Sequence, residues 1–194
     1  MIEQLLIQQV WLAAVICGGT YISDYYLTLY TARLYQAKAK MHFSFGGSLE
    51  LTPYYQTDVD QLRRWSPRFG LALLLLVGGI VSVWWLSIRW LNQPAFFLFL
   101  VGALLLREAA IHMRHIRNIV LFRYARDTEG VKGQVEYSRW LTFKLSAVEL
   151  FSFALLFLLC TLLARSWLFV GGTVACAITG YQHWQLARKA GSTT

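Results

Sequence analysis

Long apolar segments are the feature that most restricts the fold of this 194-residue chain. A helix needs about 20 mostly apolar residues to cross the hydrocarbon core of a bilayer. Five segments approach that length, at about residues 5–30, 69–86, 94–113, 145–163 and 167–184. Charged residues make up only 14% of the chain, against about a quarter in a typical soluble domain. We therefore predict an all-α fold, a polytopic transmembrane helical bundle of five spans.

The whole chain, residues 1–194, is expected to form a single integral membrane domain. Its first residues lack the positive charge that begins a cleavable signal peptide, so residues 5–30 are interpreted as a span. The three cysteines, Cys17, Cys160 and Cys176, are odd in number and lie inside apolar segments. They indicate small packing residues rather than a disulfide framework.

The distribution of basic residues predicts the orientation. Of the 18 Lys and Arg residues, only Arg89 and Arg165 fall in the links that lie outside if the N-terminus is outside. Cytoplasmic loops of membrane proteins are enriched in Lys and Arg. We therefore expect a plasma or inner membrane location with the N-terminus outside, the C-terminus in the cytoplasm, and cytoplasmic loops at 34–68 and 118–140. The net charge of +8 follows the same pattern, so no nucleic-acid partner is expected.

The first cytoplasmic loop contains a pattern typical of a small β-hairpin. Residues 42–45 and 48–51 alternate in polarity, and Gly46-Gly47 between them permits a tight turn. We predict that these two arms pair with each other.

An amphipathic helix is predicted next, with Thr52 as its cap and Pro53 at its first position. An apolar face is formed by Tyr55, Val59 and Leu62 at helical spacing. One interpretation is a helix on the inner leaflet, and the alternative is a helix packed against the loop at 118–140. On the inner leaflet, anionic lipid headgroups are expected to contact five arginines, which are Arg63, Arg64, Arg68, Arg114 and Arg117.

Charged residues inside the third span are the most informative feature for function. Only about 12 apolar residues separate Pro94 from Arg107, too few to cross the hydrocarbon core. At a rise of ~1.5 Å per residue, polar groups of four spans lie roughly 21–28 Å from the outer ends of their helices. The groups that share this level are Asp24, Glu108, His112, Glu149 and His183. Ionisable groups at such depth usually face the bundle interior, partners or water.

Three interpretations of this layer remain open. In the first interpretation, the layer is a structural network, with Arg107 paired to Glu149 or Asp24 and His112 paired to a carboxylate. Alternatively, it is a pathway along which Asp24, Arg107, Glu108, His112, Glu149 and His183 serve protons or cations. The third interpretation is a metal site formed by Glu108, His112, Glu149 and His183.

These interpretations correspond to three functional hypotheses. The default is a scaffold or accessory subunit, because no hydrolase or nucleotide-binding motif occurs and no cofactor is expected. The first alternative is a proton or cation channel or transporter, and the second is a metal-dependent enzyme acting at the inner leaflet. The expected partners are anionic lipids at the cytoplasmic face and either a second copy of the chain or a membrane-complex subunit.

Overall fold

A computed structural model of the chain describes residues 2–37, 39–46, 54–127 and 132–192. Within these residues the fold is almost entirely helical, so the all-α prediction is confirmed. The helices and strands are α1 (Ile2–Gln8), α2 (Val10–Ala37), β1 (Phe43–Phe45), α3 (Gln56–Asp60), α4 (Pro67–Trp84), α5 (Pro94–Asp127), β2 (Val135–Tyr137), α6 (Arg139–Ala164) and α7 (Trp167–Gly191). A π-helical segment, Trp85–Trp90, continues α4.

Three helices in the described part of the chain are long and apolar enough to cross a membrane, at Pro67–Trp90, Pro94–Ala125 and Arg139–Ala164. A fourth candidate arises if α1 and α2, which are bent by 105° at their junction, are taken as one span. Helix α7 was predicted as a span, but it is not among the helices that are apolar enough to cross a membrane. Its second half contains His183 among other polar residues, which lower its average hydropathy.

Helix α1 lies across one end of the bundle, which we name the α1 end. Trp84 at the end of α4 donates a hydrogen bond from Nε1 to the carbonyl of Ile7 at 2.7 Å. Ser166, the N-cap residue of α7, donates to the Glu3 carboxylate. Residues 5–30 therefore do not form the continuous span that was predicted, because these bonds hold the first turns at a sharp angle to α2.

Helices α5 and α7 approach each other so closely that only glycine fits at their contact. A Cβ atom added to Gly102 would lie 1.9 Å from the carbonyl oxygen of Leu168, and one added to Gly171 would lie 2.0 Å from that of Phe99. Next to this crossing, residues of α1, α2, α4 and α5 form an apolar cluster that includes the fully buried Phe97. The α1 end of the bundle is therefore closely packed.

The opposite end, which we name the sheet end, carries a two-stranded parallel sheet. Phe43 of β1 is in register with Val135 of β2, and Phe45 with Tyr137. The first arm of the predicted hairpin thus pairs with the second loop; its second arm, residues 48–51, lies outside the described residues. The pairing brings aromatic side chains together, since Phe45 stacks on Tyr137 with ring centroids 5.3 Å apart. Phe122 of α5 completes this cluster.

Helix α3 is shorter than the predicted amphipathic helix and faces the protein. Val59 is buried in a cluster with Tyr25 of α2 and Phe69 of α4. The Asp58 carboxylate is also buried and accepts hydrogen bonds from Ser66 at 2.6 Å and Arg63 at 3.3 Å. Among the described residues, the predicted apolar face therefore packs on α2 and α4, because two aromatic residues offer it a surface there. The predicted cap, Thr52, and the residue after it lie outside the described residues.

The contact between α5 and α7 makes a stability prediction. Gly102→Ala should destabilise the protein by about 2–3 kcal/mol or more, because the new methyl group forces the two backbones apart. The measurement is the thermal unfolding midpoint in detergent. Gly78→Ala in α4 is the matched control, since a Cβ there meets nothing within 4 Å. Equal midpoints for the two variants would contradict the close approach.

Candidate functional site: a charged cavity between four helices

A cavity of about 760 Å³ lies between α2, α5, α6 and α7 and extends to the sheet end. Of the five residues predicted to share the polar level, Asp24, Glu108, Glu149 and His183 line it, and so does their neighbour Arg107. His112 is not among the lining residues and contacts Ser23 instead. Its opposite wall includes Phe43 and Phe45 of β1 and Tyr137 of β2. The structure thus places residues from four helices, which the sequence put at a common level, around one cavity.

The carboxylates of Asp24 and Glu108 meet beside His112. One potential ligand atom from each of these three residues lies within 4.8 Å of those of the other two. The Glu108 side chain is only 7% exposed, and its Oε1 accepts a hydrogen bond from Nη2 of Arg107 at 2.6 Å. Arg107 was predicted to pair with Glu149 or Asp24 on another helix; it pairs instead with its chain neighbour. The second oxygen of Glu108 has no hydrogen-bond partner.

Both ring nitrogens of His112 are occupied. Nδ1 lies 2.7 Å from the carbonyl of Glu108, which can only accept, so Nδ1 carries a proton. Nε2 lies 2.5 Å from the hydroxyl of Ser23, which also lies 2.9 Å from the carbonyl of Thr20. A neutral His112 accepts the Ser23 proton, whereas a doubly protonated ring donates to Ser23 and leaves that proton for Thr20. The pair can therefore take up a proton without moving its heavy atoms.

Glu149 of α6 joins two arginines of α5. It accepts a hydrogen bond from Nε of Arg114 at 2.7 Å and one from Nη1 of Arg117 at 3.3 Å. Arg114 was predicted to contact anionic headgroups, but its side chain is only 14% exposed. The reason is its spacing of three residues from Arg117, which turns both guanidinium groups toward α6. Arg117 remains largely exposed.

His115 of α5 faces the cavity. Its Nε2 lies 3.2 Å from the hydroxyl of Thr28 and 3.0 Å from Oδ1 of Asp24. The contact with Asp24 is an ion pair only when the ring is protonated, and its direction makes no hydrogen bond. The spacing of seven residues from Glu108, which returns to the same helix face, is the sequence signal that could have indicated this position.

His183 and Glu149 do not join the compact group around Glu108. Nδ1 of His183 is 2.7 Å from the hydroxyl of Ser146 on α6. The predicted metal set was Glu108, His112, Glu149 and His183. Among the described residues, the cluster compact enough to hold a metal ion is Asp24, Glu108 and His112. Nδ1 of His112 is bonded to the carbonyl of Glu108, so in this cluster the histidine could offer only Nε2, which faces Ser23, beside the two carboxylates.

Five buried side-chain nitrogen and oxygen atoms in the described residues have no hydrogen-bond partner, and all five belong to residues that line this cavity. They are Oδ1 of Asp24, Nε of Arg107, Oε2 of Glu108, Nη2 of Arg114 and Nδ1 of His115. A buried polar atom without a partner typically costs about 1–3 kcal/mol. The cavity therefore has both donors and acceptors available for a ligand or for water.

The other arginines predicted to meet lipid lie near the sheet end on the surface. Arg63 is about half exposed and contacts Asp58. Arg68 is exposed, donates to the carbonyl of Tyr54 at 3.1 Å and lies over the ring of the same residue. Arg64 is also exposed. Their contact with anionic lipid stays a prediction.

Comparison with known proteins adds no family or function. No protein-family model, no curated protein and no solved structure matches this chain. The chemistry of the cavity is therefore the basis for the functional proposal.

The link between α5 and α6 makes a second stability prediction. Glu149→Gln should lower the free energy of unfolding by about 2 kcal/mol, because it leaves Arg114 without its counter-charge in a mostly buried position. Combining it with Arg114→Gln should recover part of that loss. The measurement is a double-mutant cycle of unfolding midpoints, with the exposed Glu136→Gln as control. Strictly additive losses would contradict a direct interaction.

Proposed function

We propose that this chain is a five-span membrane protein with its α1 end outside and its sheet end in the cytoplasm. The apolar window of α4 supports insertion, since only 11% of it is buried within the protein. Such a surface is stable only against lipid or another apolar partner. Helix α7 is proposed as the fifth span, because Thr179 and His183, two of the polar residues that lower its hydropathy, line the cavity. The asymmetry of Lys and Arg supports the orientation.

The orientation predicts which positions a membrane-impermeant thiol reagent can reach. In a variant lacking the native cysteines, Gln93→Cys should be labelled in intact cells, because the link between α4 and α5 is proposed to lie outside. Ser192→Cys, just beyond α7, should react only after the membrane is permeabilised. Both positions are exposed. The reverse labelling pattern would overturn the orientation.

We propose further that the protein is a transporter that takes up a proton or small cation at Asp24 and Glu108. The observation that carries this proposal is the meeting of two carboxylates from different helices, each with an oxygen that lacks a hydrogen-bond partner, in the described cavity. Intramembrane carboxylates are costly and commonly mark ion or proton pathways. His112, which can change its protonation state in place, supplies a proton acceptor beside them.

The two ends of the bundle support a carrier rather than an open channel. The cavity extends from Glu108 to the sheet end, whereas the α1 end is filled by the apolar cluster and by the contact between Gly102 and Leu168. An open channel would need a polar path through both halves. We therefore describe this state as inward-facing, with access from the cytoplasmic side.

A scaffold or accessory subunit is the second candidate. The bonds from Arg114 and Arg117 to Glu149 favour it, because they pair two mostly buried charges, those of Arg114 and Glu149, and fix the register of two helices. That hypothesis expects a fully paired layer, and the five unpartnered atoms give it less support. A metal-dependent enzyme at the inner leaflet has less support again, since two of its predicted ligands, Glu149 and His183, do not belong to the compact cluster around Glu108.

The transport proposal is tested by flux into liposomes. Purified protein should conduct protons or monovalent cations above the level of empty vesicles, as followed by a trapped pH dye or by tracer uptake. Asp24→Asn and Glu108→Gln should each reduce the rate at least tenfold, because each removes a charge that binds the cation.

The control for flux is Glu136→Gln, which removes an exposed carboxylate outside the cavity and should leave the rate unchanged. Wild-type protein that gives no flux above the level of empty vesicles would contradict the transport proposal. So would variants at Asp24 and Glu108 that keep the wild-type rate while remaining folded.

A further inference from the structure

The unpartnered atoms of the cavity have opposite hydrogen-bonding roles. Nε of Arg107 and Nη2 of Arg114 are donors on permanent cations, while Oδ1 of Asp24 and Oε2 of Glu108 are acceptors. A single cation can satisfy only the carboxylates, and a single anion only the arginines. A ligand that carries both an ammonium and an anionic group would satisfy both sets.

The acceptor side has the dimensions for an ammonium group. One oxygen of Asp24 and one of Glu108 lie within 4.8 Å of each other. A nitrogen placed between them makes hydrogen bonds of about 2.8–3.0 Å to both. A primary ammonium has three N–H donors for this purpose, whereas a quaternary ammonium has none. The site therefore favours a primary amine over a choline-like group.

The donor side fits a phosphate. Arg114 uses Nε for Glu149, which leaves Nη2 free to bind a second anion. Arg117 and His115 line the same cavity and add further cationic or donor groups. A hydrogen bond from this charged nitrogen to a phosphate oxygen is stronger than one between neutral groups. This side of the cavity therefore provides an anion site close to Glu149.

The wall beside these charges is apolar and reaches the protein surface. Leu145 and Val148 of α6 line the cavity and are 50% and 52% exposed, and Leu121 of α5 lies on the same wall. Helix α6 packs mainly on α7 and makes few contacts with α5. The charged groups are therefore accompanied by an apolar surface on which the acyl chain of a lipid could lie.

We propose that this cavity binds an aminophospholipid of the inner leaflet with an ethanolamine headgroup. The ammonium lies between Asp24 and Glu108, the phosphate lies at Arg114, and the acyl chains leave along Leu145 and Val148. This inference rests on the membrane insertion proposed above. It goes beyond the transport proposal by naming a lipid ammonium as a second kind of cation that Asp24 and Glu108 hold. Binding is measured separately from flux, so the two proposals can fail separately.

The test is competition between lipids of equal acyl chains. Delipidated protein in detergent is offered equimolar phosphatidylethanolamine, phosphatidylcholine and phosphatidylglycerol, and bound lipid is counted by native mass spectrometry. We expect phosphatidylethanolamine to be retained at least about tenfold over the other two. The double variant Asp24→Asn with Glu108→Gln should lose this preference, whereas Glu136→Gln should keep it.

Each other outcome is decisive against the proposal. Equal retention of the ethanolamine and choline lipids by wild-type protein, which requires no variant to fold, would overturn it. A preference that survives loss of both carboxylates would overturn it as well. If free phosphoethanolamine displaced the bound lipid at equimolar concentration, a soluble zwitterion would replace the lipid as the occupant. Flux without lipid preference removes this inference alone, and lipid preference without flux removes the transport proposal alone.

Discussion

The close crossing of α5 and α7 is the constraint on which the rest of the structure depends. Gly102 and Gly171 lack side chains, so the two backbones meet and α7 lies between α5 and α6. Because α7 separates them, α5 and α6 touch little directly and are joined by the bonds from Arg114 and Arg117 to Glu149. The cavity lies in the space that this arrangement leaves. A larger residue at the crossing would therefore change the site as well as the packing.

The two ends of the bundle differ in a way that follows from the same packing. At the α1 end, small and apolar side chains fill the interior, and α1 covers the helix ends through Glu3 and Ile7. Toward the sheet end, the helices carry ionisable groups. Like charges on neighbouring helices repel each other unless a group of opposite charge lies between them. Some of these groups are paired and others are not, so the cavity has a residual capacity for hydrogen bonding. That residual capacity is the basis of both functional proposals.

Much of the fold could be predicted from the pattern of apolar segments. The starts of α5 at Pro94 and α7 at Trp167 agree with the predicted spans, because a proline at a first turn and a sharp change in polarity are local signals. The pairing of β1 with β2 was not predicted, since alternation identifies a strand without identifying its partner. Phe43 and Phe45 pair with a distant segment because aromatic residues on α5 and β2 complete their cluster. Similarly, spacing alone could not show that α3 would pack on α2.

The sequence by itself determined the level of the charged groups, because helix rise is constant and each apolar segment has a countable length. It thereby indicated five candidates for a single layer, which are Asp24, Glu108, His112, Glu149 and His183. Only the tertiary structure decided which of them interact, since contact also depends on how each helix is rotated and on which helices are neighbours. That is why Glu149 contacts Arg114 rather than Arg107, and why His115 lies beside Asp24. The level of a residue depends on its own helix alone, whereas a contact depends on how two neighbouring helices are rotated and placed.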